Sequence, residues 1–307
     1  MSRIDLSTLP DKDRTPTTIA ALNAWVNHAA KALGIGDSGR LSWQIASTIV
    51  VAAMQRVSDP ELGALFLLKG GAFLERRLSA TSRSTKDVDA MFRGEVDAFV
   101  QKLDEAFAEP WGPFTLSRSE IETINVPVRR VKPRRFAVRL EIRGRVWRKI
   151  QVEIAFADGA TQPDVEYVPA DDFGFFGLES ANELVTISLA YQVAQKLHAC
   201  TDPHDPPTRR NDSVRDVLDL LLIKEQLLLE GVTLVEVRSA AETVFAGRAA
   251  EAESLGLEGR TWPPVIISNE IWVADYPRAA SQAEVTLTLD EAIKVVNAWI
   301  EEIAAAA

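Results

Sequence analysis

Phe66-Leu-Leu-Lys-Gly-Gly-Ala-Phe-Leu74, with Arg83-Ser-Thr-Lys-Asp-Val-Asp89 beginning twelve residues after Gly71, is the stretch on which the fold turns. The apolar run ends at Lys69-Gly70-Gly71, which predicts a short buried strand turning into a helix from Ala72 to about Leu78. Paired glycines let a backbone approach a phosphate, and a helix N-terminus adds free N–H groups. A plain tight turn uses the same residues. Thr85 to Phe92 reads as a second strand, with Val88, Ala90 and Phe92 on one face and Asp87, Asp89 and Met91 on the other. Two carboxylates two residues apart on one face repel each other, and a divalent cation between them relieves this. Oxygen ligands of this kind suit Mg²⁺, with Mn²⁺ the alternative. A loop with two solvated aspartates competes with this reading, although Asp is disfavoured inside strands and a pair on one strand needs a reason.

Outward from this core, Arg135 to Ile142 alternates apolar and charged residues, Gly144 marks a turn, and Val146 to Phe156 alternates again, predicting a β-hairpin. Glu153 is the single acid from Ile150 to Phe156 and points away from that strand's apolar face. If this strand neighbours the one carrying Asp87 and Asp89, three carboxylates share a face, as two-metal phosphoryl transfer requires. An exposed strand glutamate is the bland alternative. Helices are predicted at Thr17–Leu33, Leu41–Val57 and Glu95–Phe107. Ser180-Ala-Asn-Glu183 reads as a capping box opening a helix that runs to about Ala199. A proline-rich loop, a leucine-rich helix from Ser213 to Glu230, and a last helix after the capping box Thr288-Leu-Asp-Glu291 follow. The expected organisation is an α/β catalytic half at 1–175 and a helical half at 176–307.

Apolar residues make up 47% of the 307 and charged residues 25%, the balance of a globular protein. The one cysteine, Cys200, excludes an internal disulfide and fits a reducing compartment. With neither a secretory leader nor a membrane-length apolar run, the expectation is a cytoplasmic protein without a membrane partner. Net charge is −10, yet Arg129 to Lys149 holds ten Lys/Arg against the one acid Glu141. Such a strip can bind a polyanion although the whole chain is acidic. Arg129, Arg130, Arg134, Arg135, Arg139 and Arg145 are its candidate RNA contacts; solvated arginines on an exposed hairpin are the other reading. His28, His198 and His204 show no metal-ligand spacing, and Trp147 is read as a packing residue.

In their order and content these pieces resemble the AbiEii/AbiGii family of nucleotidyltransferase toxins, within the polymerase-β-type superfamily. The matching segments are Phe66–Leu74, Arg83–Asp89, Gln151-Val-Glu-Ile154, Gln195-Lys-Leu-His-Ala199 and Arg215-Asp-Val-Leu-Asp-Leu220. The resemblance implies an α+β fold: a polymerase-β-like nucleotidyltransferase domain with a mixed sheet, then a helical C-terminal domain contributing Lys196 and Asp216 to the site. It implies an enzyme transferring a nucleotide, more often a pyrimidine one, from an NTP to the 3′ end of tRNA or another RNA. Such a toxin blocks translation and is silenced by a cognate antitoxin. Asp87, Asp89 and Glu153 would hold Mg²⁺; Lys69, Gly70, Gly71, Arg83, Ser84, Thr85 and Lys196 would meet the nucleotide. Asp219 is read as structural. Transfer to a protein or small molecule, and a binding protein that keeps the fold without catalysis, are the alternatives.

Overall fold

The computed structural model describes residues 6–77, 85–157 and 163–307. The Thr18 side chain accepts the Ala21 N–H and starts α1 (Ile19–Ala32); Asp37 does the same for Gly39 at the head of α2 (Ser38–Gln55). The short pair β1 (Ser58–Asp59) and β2 (Gly63–Ala64) leads into β3 (Phe66–Lys69), α3 (Gly70–Arg77) and β4 (Asp87–Phe92). After α4 (Phe99–Ala108) come β5 (Thr115–Arg118), β6 (Glu122–Thr123), and the long hairpin of β7 (Arg134–Ile142) and β8 (Arg145–Phe156). Its turn places Arg143 and Gly144 at φ 52° and 72°, the left-handed pair that matches strand twist. Then follow β9 (Val165–Pro169), β10 (Glu183–Ile187) and the helices α5 (Leu189–Cys200), α6 (Val214–Glu230), α7 (Leu234–Ser254), α8 (Glu270–Gln282) and α9 (Leu289–Ala305).

Strand alternation sorts the sheet into two faces. The strand order is β5-β7-β8-β4-β3-β10-β9, with β6 also pairing β7. β4 runs parallel to β8 and β10 parallel to β3, while the other pairs are antiparallel, so the sheet is mixed. On one face Phe66, Phe92 and Phe156 meet Phe99 of α4, with centroids 4.9 Å apart for Phe66–Phe92 and 5.2 Å for Phe99–Phe156. α2 lies across the sheet here, against β3, β8 and β10, which explains why it is buried from Ile45 to Met54. On the opposite face Leu67, Met91 and Ile187 are covered by Tyr191 and Ala194 of α5 and by Ala241 and Val244 of α7. Beyond this patch the same face carries the charged residues described below.

One expected helix start is wrong. Ser180-x-x-Glu183 does not open a helix: the Ser180 hydroxyl donates to Asp172 Oδ1 and accepts the Phe173 N–H. Glu183–Ile187 is instead strand β10, whose β-branched Val185, Thr186 and Ile187 suit a pleated surface. Ser188 is the true cap, accepting the Tyr191 N–H at 3.1 Å. The sheet therefore continues past residue 175, and one hydrophobic core includes residues from both sides of that point. The capping box at Thr288 and Glu291 forms as read.

Phe66 is fully buried between Phe92 and Phe99. Phe66→Ala is expected to lower unfolding free energy by about 3–5 kcal/mol in urea denaturation. A loss under about 1 kcal/mol would mean that the aromatic layer is not what holds the sheet to α4.

Candidate functional site

The central residues form a row across four strands. β3 pairs Lys69 with Asp89, β4 pairs Asp89 with Glu153 of β8, and β8 pairs Glu153 with Arg135 of β7. All four lie on the face of Leu67 and Met91, opposite the phenylalanines. One step along, Asp87 lies beside Gln151. The expectation that the two acidic strands are neighbours is met, and the pairing is parallel.

Gly70 joins this row to α3. Its φ is +68°, and a Cβ there would stand 2.3 Å from Asp89 Oδ2, so only glycine fits. At Gly71 a Cβ would come within 3.1 Å of the Thr85 Cβ. Thr85 donates its hydroxyl to the Asp87 carbonyl and its N–H to Glu75 Oε1, each at 3.1 Å. Arg83 and Ser84, also expected at the nucleotide, lie outside the described residues.

Asp87 and Asp89 are half-buried, and both pKa values are raised. Burial is the largest cause, and the Glu153 charge adds to it in both; Lys69 and then Lys196 oppose the shift at Asp89. Lys196, on α5, is buried between two carboxylates of α6, 2.6 Å from Asp216 Oδ1 and 2.7 Å from Asp219 Oδ2. Burial alone would lower its pKa, but the two carboxylates outweigh burial and raise it. That contribution to stability is present below the ordinary lysine value of 10.5 and is lost as pH rises through the higher folded value.

The sequence model of the nucleotidyl transferase AbiEii toxin family, type IV toxin–antitoxin system, matches residues 52–297. The chain belongs to the AbiEii nucleotidyltransferase toxins. No curated protein matches the sequence. Among solved structures, MenT4, a nucleotidyltransferase toxin from Mycobacterium tuberculosis H37Rv, aligns at 16% identity over 94% of this chain and 99% of its own, with a TM-score of 0.46. The antibiotic-resistance factor ANT(2'')-Ia aligns at 17% identity over 70% and 95%, with a TM-score of 0.32.

The toxin's charged row explains which ligands a cation would find. The donors are oxygen-only, and two half-buried like charges at one place fit a hard divalent ion. Glu153 shares their face, but its carboxylate is taken by Arg135, whose Nε and Nη2 donate to Oε1 at 2.8 and 2.5 Å. Among the described residues no three side chains of His, Cys, Asp or Glu gather closely enough to hold an ion. Burial, then Arg260 and Arg129, push His198 down to about 3, so it is a neutral imidazole.

The basic strip does not form one surface. Arg129 is packed against Glu251 of α7 (3.4 Å), and the Arg130 N–H donates to the same carboxylate. Arg134 caps the Lys132 carbonyl and lies over the Phe156 ring. Arg139 and Lys149 are exposed and paired across β7 and β8, in alternation with Arg135 and Glu153 on the carboxylate face. Arg145 is exposed beside the hairpin turn. Trp147 is packing, as read: it stacks on Phe114 and donates to Asn23.

Two partners escaped the sequence. Asp219, read as structural, holds Lys196 together with Asp216; the i, i+3 spacing puts both on one side of α6, but that spacing does not show that they share the lysine. Gln192, four residues before Lys196 on α5, accepts the Gly70 N–H at 3.2 Å. Nothing in its local sequence announces that interaction.

Two substitutions should separate charge balance from chemistry. Lys196→Met leaves two carboxylates without their cation and is expected to cost about 3–5 kcal/mol of stability as well as activity. Asp89→Asn removes a charge that burial disfavours, so it should abolish activity while leaving the melting temperature in EDTA unchanged or higher. A melting temperature several degrees lower for Asp89→Asn would contradict this charge balance.

Proposed function

We propose that this toxin transfers a nucleoside monophosphate from an NTP to the 3′-hydroxyl of an RNA, tRNA in the first place, and thereby blocks translation. The observation that carries the acceptor class is the continuity of one sheet face, from Asp87 and Asp89 through Glu153 and Arg135 to Arg139 and Lys149. A polyanion lying along that face brings its end to the carboxylates. A tRNA acceptor, a pyrimidine nucleotide and a cognate antitoxin rest on the family resemblance.

Asp87 and Asp89 are the residues that would hold Mg²⁺, which would supply Lewis-acid activation of the α-phosphate and the attacking hydroxyl, with Glu153 on the same face beside them. The glycine turn and Lys69 take the triphosphate. The acceptor 3′-oxygen forms a bond to the α-phosphorus, the bond to the pyrophosphate oxygen breaks, and Glu153 receives the hydroxyl proton. Arg135 is a cation for which an RNA phosphate competes, so acceptor binding frees the Glu153 carboxylate for that proton. Lys196, held by Asp216 and Asp219, places positive charge near Asp89 and the departing pyrophosphate.

Incubation with Mg²⁺, each α-labelled NTP in turn and total RNA, followed by a denaturing gel, tests the reading. Label is expected in tRNA-sized bands and absent with Asp89→Ala. Label in protein bands instead would replace RNA as the acceptor.

Salt dependence tests the acceptor path separately. Replacing Arg139 and Lys149 together by Ala should reduce the log–log salt slope of RNA binding by roughly 0.7–0.9 for each phosphate that is no longer neutralised. An unchanged slope would remove these two residues from the RNA path.

A further inference from the structure

Gln192 is 3% exposed, and its side chain ends at the glycine turn. The Gly70 N–H can be met only by an acceptor, so Gln192 Oε1 faces it and the amide nitrogen is turned the other way. That fixes the orientation of the amide. Among the described residues Nε2 has no hydrogen-bond partner and is not fully buried, so its two donors stand at the small part of the side chain that remains open. Donors at such an opening are matched by water or by a ligand.

The surroundings name the acceptor. Gly70 opens α3 against the Asp89 carboxylate, and the leading N–H groups of a helix have no intrahelical partner. Lys69 and Lys196 both act on Asp89 with positive charge, and Lys196 lies one helical turn from Gln192 on the same side of α5. The Nε2 hydrogens thus stand without a protein acceptor at a turn that follows directly on Lys69. A group made of anionic oxygen acceptors satisfies the Nε2 hydrogens and meets the positive charge of the neighbouring Lys69.

We infer that Gln192 is a nucleotide-binding residue: its carbonyl oxygen braces the Gly70-Gly71 turn, and its amide nitrogen donates to a phosphate oxygen of the NTP. This rests on the nucleotidyl-transfer reading above and adds the residue that replaces the Gly70 N–H as a phosphate donor. Because the interaction is with the phosphate tail, it is indifferent to the base.

The test is calorimetric titration of the full chain with Mg²⁺ and inorganic tripolyphosphate, for wild type, Gln192→Glu and Gln192→Leu, with thermal unfolding as the check on folding. Glu keeps an acceptor for the Gly70 N–H and loses the donors; Leu loses both without adding charge. Both variants are expected to bind roughly tenfold to a hundredfold more weakly, and all four NTPs to weaken by the same factor. Gln192→Glu binding tripolyphosphate within about twofold of wild type overturns the inference and leaves Gln192 as a brace only. So does a wild type that transfers label from an NTP yet binds no tripolyphosphate. A wild type that neither binds tripolyphosphate nor transfers label overturns the nucleotidyl-transfer reading as well.

Discussion

The register of β4 between β3 and β8 is the constraint from which the site follows. It lines up Lys69, Asp89, Glu153 and Arg135 as one row of cation, anion, anion, cation across four strands. A slip of one residue would turn Asp87 and Asp89 into the phenylalanine layer and bring Val88 and Ala90 to the surface. The apolar side of the sheet therefore enforces the polar side. Phe66, Phe92 and Phe156 pack against α4 only in the register that sets the carboxylates together.

The helices after β10 complete what the row leaves unbalanced. Asp87 and Asp89 are held above their ordinary pKa, first by burial, so this end of the sheet calls for positive charge. Lys69 supplies it from within the sheet. Lys196 supplies it from α5, kept in place by Asp216 and Asp219 rather than by the row itself. A cation already balanced by two carboxylates can sit buried beside Asp89 without folding against it. The tie from Gln192 to Gly70 fixes the same helix to the glycine turn.

The parts of this arrangement visible in the sequence were those governed by period. Alternation alone placed Asp87, Asp89 and Glu153 opposite the apolar faces of their strands, with Phe92 and Phe156 behind them, and length with glycines located β3 and α3. Lys196 and Asp216 were legible only through the family resemblance, since a helical lysine and a first-turn aspartate have ordinary uses. Ser180 and Glu183 imitated a capping box because the spacing is local, whereas the choice between helix and strand at Val185–Ile187 is made by pairing with β3 and β9. Counting arginines along the chain merged Arg129, Arg134 and Arg139 into one strip. The fold assigns them to a partly buried ion pair, an aromatic ring and the carboxylate face. Gln192 depends on a partner 122 residues away, which no local pattern encodes.

The site can work in this way only if Asp87 and Asp89 jointly receive the divalent ion that the nucleotide brings. Anomalous diffraction from crystals of the full chain grown with Mn²⁺ and a non-transferable NTP analogue addresses this most directly. The expected result is a manganese peak ligated by both aspartates, with the triphosphate over Gly70 and Gly71. A peak that touches neither aspartate, or a nucleotide bound away from the glycine turn, would contradict it.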